Sequence, residues 1–295
     1  MREKRKQHKW FPLLALGVIC VVGVVLLCTK GKPHEAPAAP IDPHAGEIQV
    51  NDGASMVWLP RKEAPESVLT PADFSTDAQG WPVYVGDDHT ALRGVDVSEL
   101  QGSIDWQQAA DAGIDFAFVR IGYRGYGAMG VLMEDSHFFA NLEKAQQSGI
   151  KVGAYFFSQA TSPAEAEEEA QFVLSVLSSA PLELPIMFDW ERISWDESRT
   201  DAIPLDAISG YGAAFCRTIE QQSDYRAGVY FSRQVGYYGY DLNEVKDYAF
   251  WLADPGTYPA FYYAAAFWQY SVDATVPGID TIVDMNLWFV PKETA

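Results

Sequence analysis

The sequence predicts an α/β protein: an irregular TIM-like barrel, approximately (β/α)5(β)3, preceded by a single N-terminal transmembrane helix. Two observations predict the barrel. Short apolar runs recur eight times after residue 92, and amphipathic helical patterns separate the early runs. A third observation, an uncharged apolar stretch near the N-terminus, predicts the membrane helix. Hydrophobic residues make up 48% of the chain, which is enough to fill a large core.

The N-terminus has the pattern of a membrane anchor. Residues 1–10 form a basic tail, in which five lysines and arginines against Glu3 leave a local charge of +4. Residues 11–28 carry no charge, and as a helix they would span about 27 Å, close to the thickness of the bilayer core. Because basic flanks stay in the cytoplasm, we expect a single-pass cell-membrane protein whose main domain is extracellular.

Two other interpretations of this segment keep the main domain outside the cell. A cleaved signal peptide would release it as a secreted protein, but signal peptides usually have a shorter apolar region of about 7–15 residues. A lipoprotein attached at Cys28 is disfavoured because bulky Leu27 stands where a small residue is expected.

The remaining chain divides into three parts. Residues 29–45 are a Pro/Ala-rich linker, and residues 46–91 are a short, partly ordered extension with strand-like segments at 56–60 and 80–88. Residues 92–295 form the main domain. Its predicted helices lie at 105–112, 134–148, 163–178 and 204–222, and the gaps between its last three strands are too short for full helices. Its predicted strands are 93–98, 116–123, 151–158, 184–191, 227–232, 249–254, 266–271 and 281–286.

Composition excludes several classes of function. Acidic residues outnumber basic ones 40 to 21, so a nucleic-acid partner is not expected, since nucleic-acid binding needs a basic surface. The chain has no Gly-rich phosphate loop, no Cys-x-x-Cys and no His-x-x-x-His, so we predict neither a cofactor nor a metal. Cys216 lies in an amphipathic pattern and is interpreted as a small buried residue rather than a catalytic thiol.

Four carboxylic acids fall in or directly after the apolar strand patterns. In barrels of this class, the functional groups lie at the C-terminal ends of the strands. A structural role would require a buried acid to be paired, and Arg120 could serve only one of these four. We therefore predict that they form the functional site: Asp96, Asp189, Glu191 and Asp284.

The spacing of Asp189 and Glu191 indicates shared protonation. Alternate residues of a strand face the same side, with Cα atoms about 6.5–7 Å apart. Two carboxyls this close disfavour joint ionisation, so one of them keeps its proton near neutral pH. A proton donor beside a charged carboxylate is the equipment of glycosidic cleavage.

Aromatic residues near the same strand ends are predicted to stack on sugar rings, with core packing as the alternative for each of them. We also assign Gln269 to substrate binding. The aromatic candidates are Tyr123, Tyr155, Tyr230, Trp251, Trp268 and Tyr270.

A series of motifs in the main domain resembles glycoside hydrolase family 25, the Chalaropsis-type lysozymes. The motifs occur in the family's order and cover residues 93 to about 290. They are Gly94-Val95-Asp96-Val97-Ser98, Gln101-Gly102, Ile104-Asp105-Trp106, and the runs at 118–123, 153–160, 188–191, 268–270 and 283–286.

The resemblance implies a muramidase acting on the glycan strands of peptidoglycan, between N-acetylmuramic acid and N-acetylglucosamine. By motif position, Glu191 would be the general acid. Asp189 would stabilise charge or orient the substrate's acetamido group, while Asp96 and Asp284 would line the same pocket. An outward-facing anchor would favour a role in remodelling the cell wall.

Three mechanisms and two rival functions stay open. The second carboxylate could be a nucleophile, a water molecule could attack directly, or the substrate's acetamido group could assist with retention; we favour the last. One rival is a membrane-tethered, non-catalytic glycan-binding module on the same fold. The other is a chitinase-like glycosidase, which the stretch preceding Asp189 disfavours because it lacks further acids.

Overall fold

The computed structural model describes residues 42–292. The predicted basic tail (residues 1–10) and membrane helix (residues 11–28) lie outside the described residues, as does most of the predicted linker. Across residues 42–292, no helix combines the length and the apolar character needed to cross a bilayer.

The predicted extension at residues 46–91 contains two small antiparallel hairpins, and its last three residues belong to the first strand of the barrel. The first hairpin pairs β1 (Glu47–Asn51) with β2 (Met56–Pro60). The second pairs β3 (Phe74–Thr76) with β4 (Pro82–Tyr84), and a short 3₁₀ helix precedes it. The ring of Phe74 packs edge-on against Trp268 and Phe289 of the main domain. This segment therefore covers part of the outer surface of the barrel.

Eight strands close into a barrel, and each overlaps one of the predicted strands. The order around the barrel is β5, β13, β12, β11, β10, β9, β8, β6, and pairing of β5 with β6 completes the ring. The first of these strands begins at His89, slightly before the predicted boundary at residue 92. The strands are β5 (His89–Val97), β6 (Phe116–Arg124), β8 (Lys151–Ser158), β9 (Ile186–Trp190), β10 (Ala227–Ser232), β11 (Ala249–Ala253), β12 (Phe267–Ala274) and β13 (Val283–Pro291).

Helices follow the first five barrel strands, as predicted. A further short strand, β7 (Leu132–Glu134), pairs with the end of β6 outside the ring. Helix α3 begins at Pro163 because the Ser162 side chain accepts a hydrogen bond from the Glu165 amide and proline suits a first turn. The helices are α1 (Trp106–Asp111), α2 (Phe138–Gln147), α3 (Pro163–Leu177), α4 (Ile208–Gln222), α5 (Arg233–Tyr238) and α6 (Leu242–Val245).

The last strand runs in the opposite direction to the others. In a TIM barrel all strands are parallel, and the sequence analysis predicted a TIM-like barrel, but β13 is antiparallel to both β12 and β5. The prediction that Asp284 stands at the C-terminal end of its strand is therefore wrong, since Asp284 lies near the start of β13. Reversal of the strand nevertheless brings Asp284 to the same end of the barrel as Asp96, and the two residues are paired in register.

Side chains alternate between two apolar layers. The interior of the barrel is filled by a cluster that includes Phe116, Phe118, Met187 and Phe267. Gly94 makes room for this cluster, because a Cβ there would lie 2.5 Å from the Phe116 ring. The opposite strand faces pack against the helices, where Cys216 is fully buried as expected.

Candidate active site

Four carboxyl groups, contributed by three regions of the chain, form one cluster at one end of the barrel. Asp96 lies near the end of β5, Asp189 lies near the end of β9, and Glu191 directly follows β9. Asp284 reaches the cluster from the start of β13. Asp96 and Asp284 pair in register and share one amide donor. The charge of Asp96 raises the pKa values of Asp189 and Glu191, and the charge of Glu191 raises that of Asp284, so the four acids predicted from the sequence stand together.

Two amides hold the Asp96–Asp284 side of the cluster. Nε2 of buried Gln269 donates to Oδ2 of Asp96 at 3.0 Å and to Oδ2 of Asp284 at 3.1 Å. Nδ2 of Asn286 donates to the same oxygen of Asp96 at 2.8 Å. In turn, Tyr230 donates its hydroxyl proton to Oε1 of Gln269 at 3.0 Å, which fixes the orientation of that amide.

The pKa values of these two carboxyls lie well above those of ordinary aspartates. Burial raises the pKa of Asp96 to about 6, although the donors from Asn286 and Gln269 oppose the rise. Burial, together with the charges of Asp96 and Glu191, raises the pKa of Asp284 to about 8. Near neutral pH, this side of the cluster therefore retains a proton.

Asp189 and Glu191 form a second coupled pair. Burial raises the pKa of Asp189 well above its usual range, and the charges of Glu191 and Asp96 raise it further. Burial of the Glu191 carboxyl and the charge of Asp96 also raise the pKa of Glu191. Taken as a whole, the residue is exposed to solvent at the mouth of the barrel. The two carboxyls are close enough to change each other's pKa, which favours a single proton on the pair. Asp189 is 5% exposed, and its Oδ1 finds no hydrogen-bond partner among residues 42–292.

The backbone at Glu191 is held by groups from the preceding strand. Nε2 of Gln159, a fully buried side chain just after β8, donates to the carbonyl oxygen of Glu191 at 2.6 Å. Trp190 donates its indole N–H to the carbonyl oxygen of Ala160 at 2.9 Å. These contacts fix the point at which the chain leaves β9, and so position the Glu191 side chain.

Arg120 is committed to acids other than the four predicted ones. Its Nε donates to Oδ2 of Asp135 at 2.8 Å, and its Nη2 lies 3.3 Å from Glu99. Its guanidinium also stacks over the ring of Tyr123, 5.0 Å from the centroid. The cluster of four carboxyls therefore has no direct ion pair with Arg120, although the cation slightly lowers the pKa of Asp189.

One group of side chains in the described part of the chain has the spacing of metal ligands: Glu99, Asp135 and His137. Arg120 already pairs with both of its carboxylates. The set therefore reads as a salt-bridged network in which the guanidinium supplies the positive charge.

Three of the predicted aromatic residues lie on the cluster's side of the barrel. Tyr155 and Tyr230 point into the barrel, and the nearby carboxylates raise the pKa of both hydroxyls in addition to the larger effect of burial. Tyr123 is half-buried beneath Arg120. Their assignment to substrate contact remains a prediction.

The other three aromatic assignments need correction. Trp251 is 1% exposed and stacks on Phe118 at 4.5 Å between ring centroids, so it belongs to the packed interior beneath the carboxyls. Trp268 and Tyr270 point out of the barrel and pack in its outer layer. Gln269, which lies between them in the strand, faces inward and contacts Asp96. Trp268 is fully buried against the extension, with its indole N–H bonded to the carbonyl of Asp254. None of the three presents a ring face to a substrate.

The sequence analysis missed three residues that shape the site: Asn286, Gln159 and Asp135. Asn286 could have been found, because it stands two residues after Asp284 and so faces the same side of β13. No local sequence pattern indicates the contact of Gln159 with the Glu191 backbone. Asp135 could not be predicted either, because its role depends on the hydrogen bond that it accepts from Arg120 of β6.

Chemically, the site offers a proton held between carboxyls and an ionised carboxylate next to it. This combination suits protonation of a leaving-group oxygen while positive charge develops on a sugar ring. The model of the family described as Glycosyl hydrolases family 25 matches residues 95–279. The chain belongs to glycosyl hydrolase family 25. It is therefore a glycoside hydrolase, as predicted, and Asp96, Asp189 and Glu191 lie within the matched segment.

Individual relatives agree with this membership of family 25. Lysozyme M1 of Streptomyces globisporus is 26% identical over 215 residues, which cover 68% of each protein. A family 25 glycosyl hydrolase from Bacillus anthracis has a similar fold, with a TM-score of 0.57 and 20% identity, over 70% of this chain and 95% of that one. The autolysin LytC of Streptococcus pneumoniae, solved with a synthetic peptidoglycan ligand, gives a TM-score of 0.56 and 21% identity, over 83% of this chain and 61% of that one.

Proposed function

We propose that this family 25 enzyme is a peptidoglycan muramidase that hydrolyses the β-1,4 bond between N-acetylmuramic acid and N-acetylglucosamine. The observation that carries the proposal is the pair of carboxyls, Asp189 and Glu191, that share one end of β9 at the open end of the barrel and whose pKa values are both raised. The names of relatives, one a lysozyme and one an autolysin solved with a peptidoglycan ligand, support this choice of substrate.

In this proposal, Glu191 protonates the leaving-group oxygen, because it is the more solvent-accessible member of the pair. The pKa of Asp189 is raised further than that of Glu191, so in the free enzyme the shared proton rests on Asp189. In this proposal the proton passes to Glu191 when the sugar binds, which leaves Asp189 ionised to stabilise positive charge and orient the substrate's acetamido group. Asp96 and Asp284 keep the cluster partly protonated, since their pKa values of about 6 and about 8 bracket neutral pH.

The geometry favours assistance by the substrate over a carboxylate nucleophile. An acid and a nucleophile on opposite sides of a glycosidic bond are separated by about 5–5.5 Å. Asp189 and Glu191 come from one strand end, two residues apart, and each changes the pKa of the other, so we place them on the same side of a bound sugar rather than on opposite sides. The acetamido group would then attack the anomeric carbon and the configuration would be retained. Detection of an inverted anomer by NMR of the first product would exclude this mechanism.

The test of the activity uses the full chain and its Glu191→Gln variant on purified peptidoglycan, with mass spectrometry of the released fragments. We expect reducing N-acetylmuramic acid ends from the wild type, and a loss of activity of at least about a hundredfold in the variant, as for removal of a general acid. Reducing N-acetylglucosamine ends would keep the glycosidase but change the bond cleaved. Binding without cleavage by either protein would favour the non-catalytic glycan-binding module.

We further propose that residues 11–28 anchor the enzyme in the cell membrane, with the barrel outside. Support comes from the sequence alone: eighteen uncharged residues follow a basic tail. Fractionation of cells making the full chain should place it in the membrane, and deletion of residues 1–28 should remove it from that fraction. Recovery of a shortened, soluble protein from the medium would indicate a cleaved signal peptide instead.

A further inference from the structure

Arg192, the residue after Glu191, differs from every other arginine between residues 42 and 292. The structure describes nine arginines, and eight of them form an ion pair with an aspartate or glutamate. Arg192 forms none among the described residues. Its guanidinium donates to the backbone carbonyl of Ile203, its residue surface is exposed, and its remaining N–H groups are available to a ligand.

Such a cation is unexpected in this protein. The chain carries a net charge of −19, so an arginine has many possible carboxylate partners. Arg192 also stands beside a cluster of four carboxyls, yet it pairs with none of them. The Arg192 guanidinium can therefore donate hydrogen bonds to an anionic ligand at the edge of a site whose carboxylates would otherwise repel it.

Arg192 lines a cavity that opens next to Glu191. The cavity has a volume of about 310 Å³, within the range of small-ligand sites. Its walls combine the apolar side chains of Leu205 and Val235 with the ring of Tyr230. One cation and small apolar walls match a ligand that carries both a carboxylate and a methyl group.

We propose that this cavity binds a carboxylate-bearing substituent of the glycan, with Arg192 as the residue that recognises the charge. The inference rests on the proposed function, because N-acetylmuramic acid is the sugar of peptidoglycan that carries a lactyl group. That group has a methyl and a carboxyl, and the carboxyl is either free or joined to a peptide that bears carboxylates of its own. Arg192 then places the muramic acid side of the scissile bond next to Glu191, and favours acidic glycan over neutral chitin.

The test compares the wild type with Arg192→Gln on three forms of one peptidoglycan: bearing its peptides, stripped of them by an amidase, and stripped with the lactyl carboxyls converted to neutral amides. We expect Arg192→Gln to raise KM about tenfold on at least one of the two carboxylate-bearing forms, because one partly exposed charge-assisted contact is lost. The kcat of the variant should stay within about twofold of the wild-type value. On the neutral form, wild type and variant should be equal. An effect confined to the peptide-bearing form would identify a peptide carboxylate, whereas an effect on the stripped form would identify the lactyl carboxylate.

Two further variants separate recognition from a structural role. Arg192→Lys keeps the charge and should recover part of the loss. Arg226→Gln removes an exposed arginine that joins an ion pair with Glu220 near the start of β10, and should leave all three substrates unaffected. A loss in Arg192→Gln that is equal on the charged and neutral forms would overturn the proposal, as would no loss on either charged form. If the wild type cleaves none of the three substrates, the muramidase function itself fails and this inference falls with it.

Discussion

Two buried carboxylates in this barrel illustrate opposite ways of placing an acid inside a protein. Glu169 of α3 is fully buried, and each of its oxygens has a donor: Nε of Arg124 at 2.6 Å and the hydroxyl of Ser158 at 2.6 Å. Asp189 of β9 is nearly as deeply buried, yet its Oδ1 has no donor in the described part of the chain and its neighbours include further acids. Burial raises the pKa of both, to about 7 for Glu169 and well above the usual range for Asp189.

The difference between these two regions lies in how the cost of burial is offset. Around Glu169, the protein supplies a cation and a hydroxyl, so the acid links helix α3 to β6 and β8. Around Asp189, the protein supplies more negative charge and leaves an acceptor free. An arrangement that costs stability and is not relieved by neighbouring residues is expected where a substrate completes it.

The sharpest test of this contrast is Asp189→Asn, for which we expect the largest effect. The variant keeps the shape of the side chain but removes the negative charge that would stabilise a developing cation. Turnover of peptidoglycan should fall about a thousandfold, in the range seen for loss of one electrostatic or acid–base group. Because repulsion within the cluster is also removed, the free energy of unfolding in urea should stay the same or increase. A variant that is less stable but as active as the wild type would show that Asp189 is structural.

Glu169→Gln should show the reverse pattern. Removing the charge leaves Arg124 with a weaker partner in a buried position, and breaking such a pair typically costs about 3 kcal/mol of unfolding free energy. Activity per folded molecule should stay within about twofold of the wild type. The matched control is Glu168→Gln, which removes the more exposed partner of Arg124 and should cost less than about 1 kcal/mol. Equal destabilisation by both variants would contradict the distinction between buried and exposed partners.

The pH dependence of stability gives a smaller and more general test. The folded-state pKa values of Asp96 and Asp284, about 6 and about 8, exceed the usual value of 3.8, so between these limits the folded state binds more protons than the unfolded state. Their contribution to stability is complete below the unfolded pKa and is lost as pH rises through the folded pKa. Allowing for screening of these half-buried groups, we expect the free energy of unfolding to fall by about 2 kcal/mol from pH 5 to pH 8. Asp284→Asn should flatten the curve, and stability that rises over this interval in the wild type would contradict the pKa values.

Much of the architecture could be predicted from the sequence because it depends on local patterns. Each barrel strand is a short apolar run, and the acids stand out within these runs, so the eight strands and the four carboxyls were identified without a structure. Whether a strand runs parallel or antiparallel depends on its neighbours in the sheet, and local sequence does not record this. The direction of β13 was therefore missed, although Asp284 still reaches the same end of the barrel as the other three acids.

The aromatic residues show where inference from residue type fails. Strand alternation alone would have separated Gln269, which faces the carboxyls, from Trp268 and Tyr270, which face the outer layer. The position of Trp251 could not have been predicted from strand alternation, since it faces the interior of the barrel but lies beneath other side chains. How deep a ring lies depends on packing between strands that are distant in the sequence. The aromatic residues that contact substrate therefore cannot be identified from local sequence alone.

The pairing of the first and last barrel strands has a consequence for how the enzyme is made. Asp96 accepts a hydrogen bond from Asn286, a residue 190 positions later in the chain, and pairs in register with Asp284. Contacts at such separation form late in folding, because a long loop must first be closed. During synthesis, β13 leaves the ribosome after every other strand of the barrel. The carboxyl cluster is therefore completed only when the barrel is nearly finished, so an incomplete chain lacks the assembled site and cannot attack a cell wall.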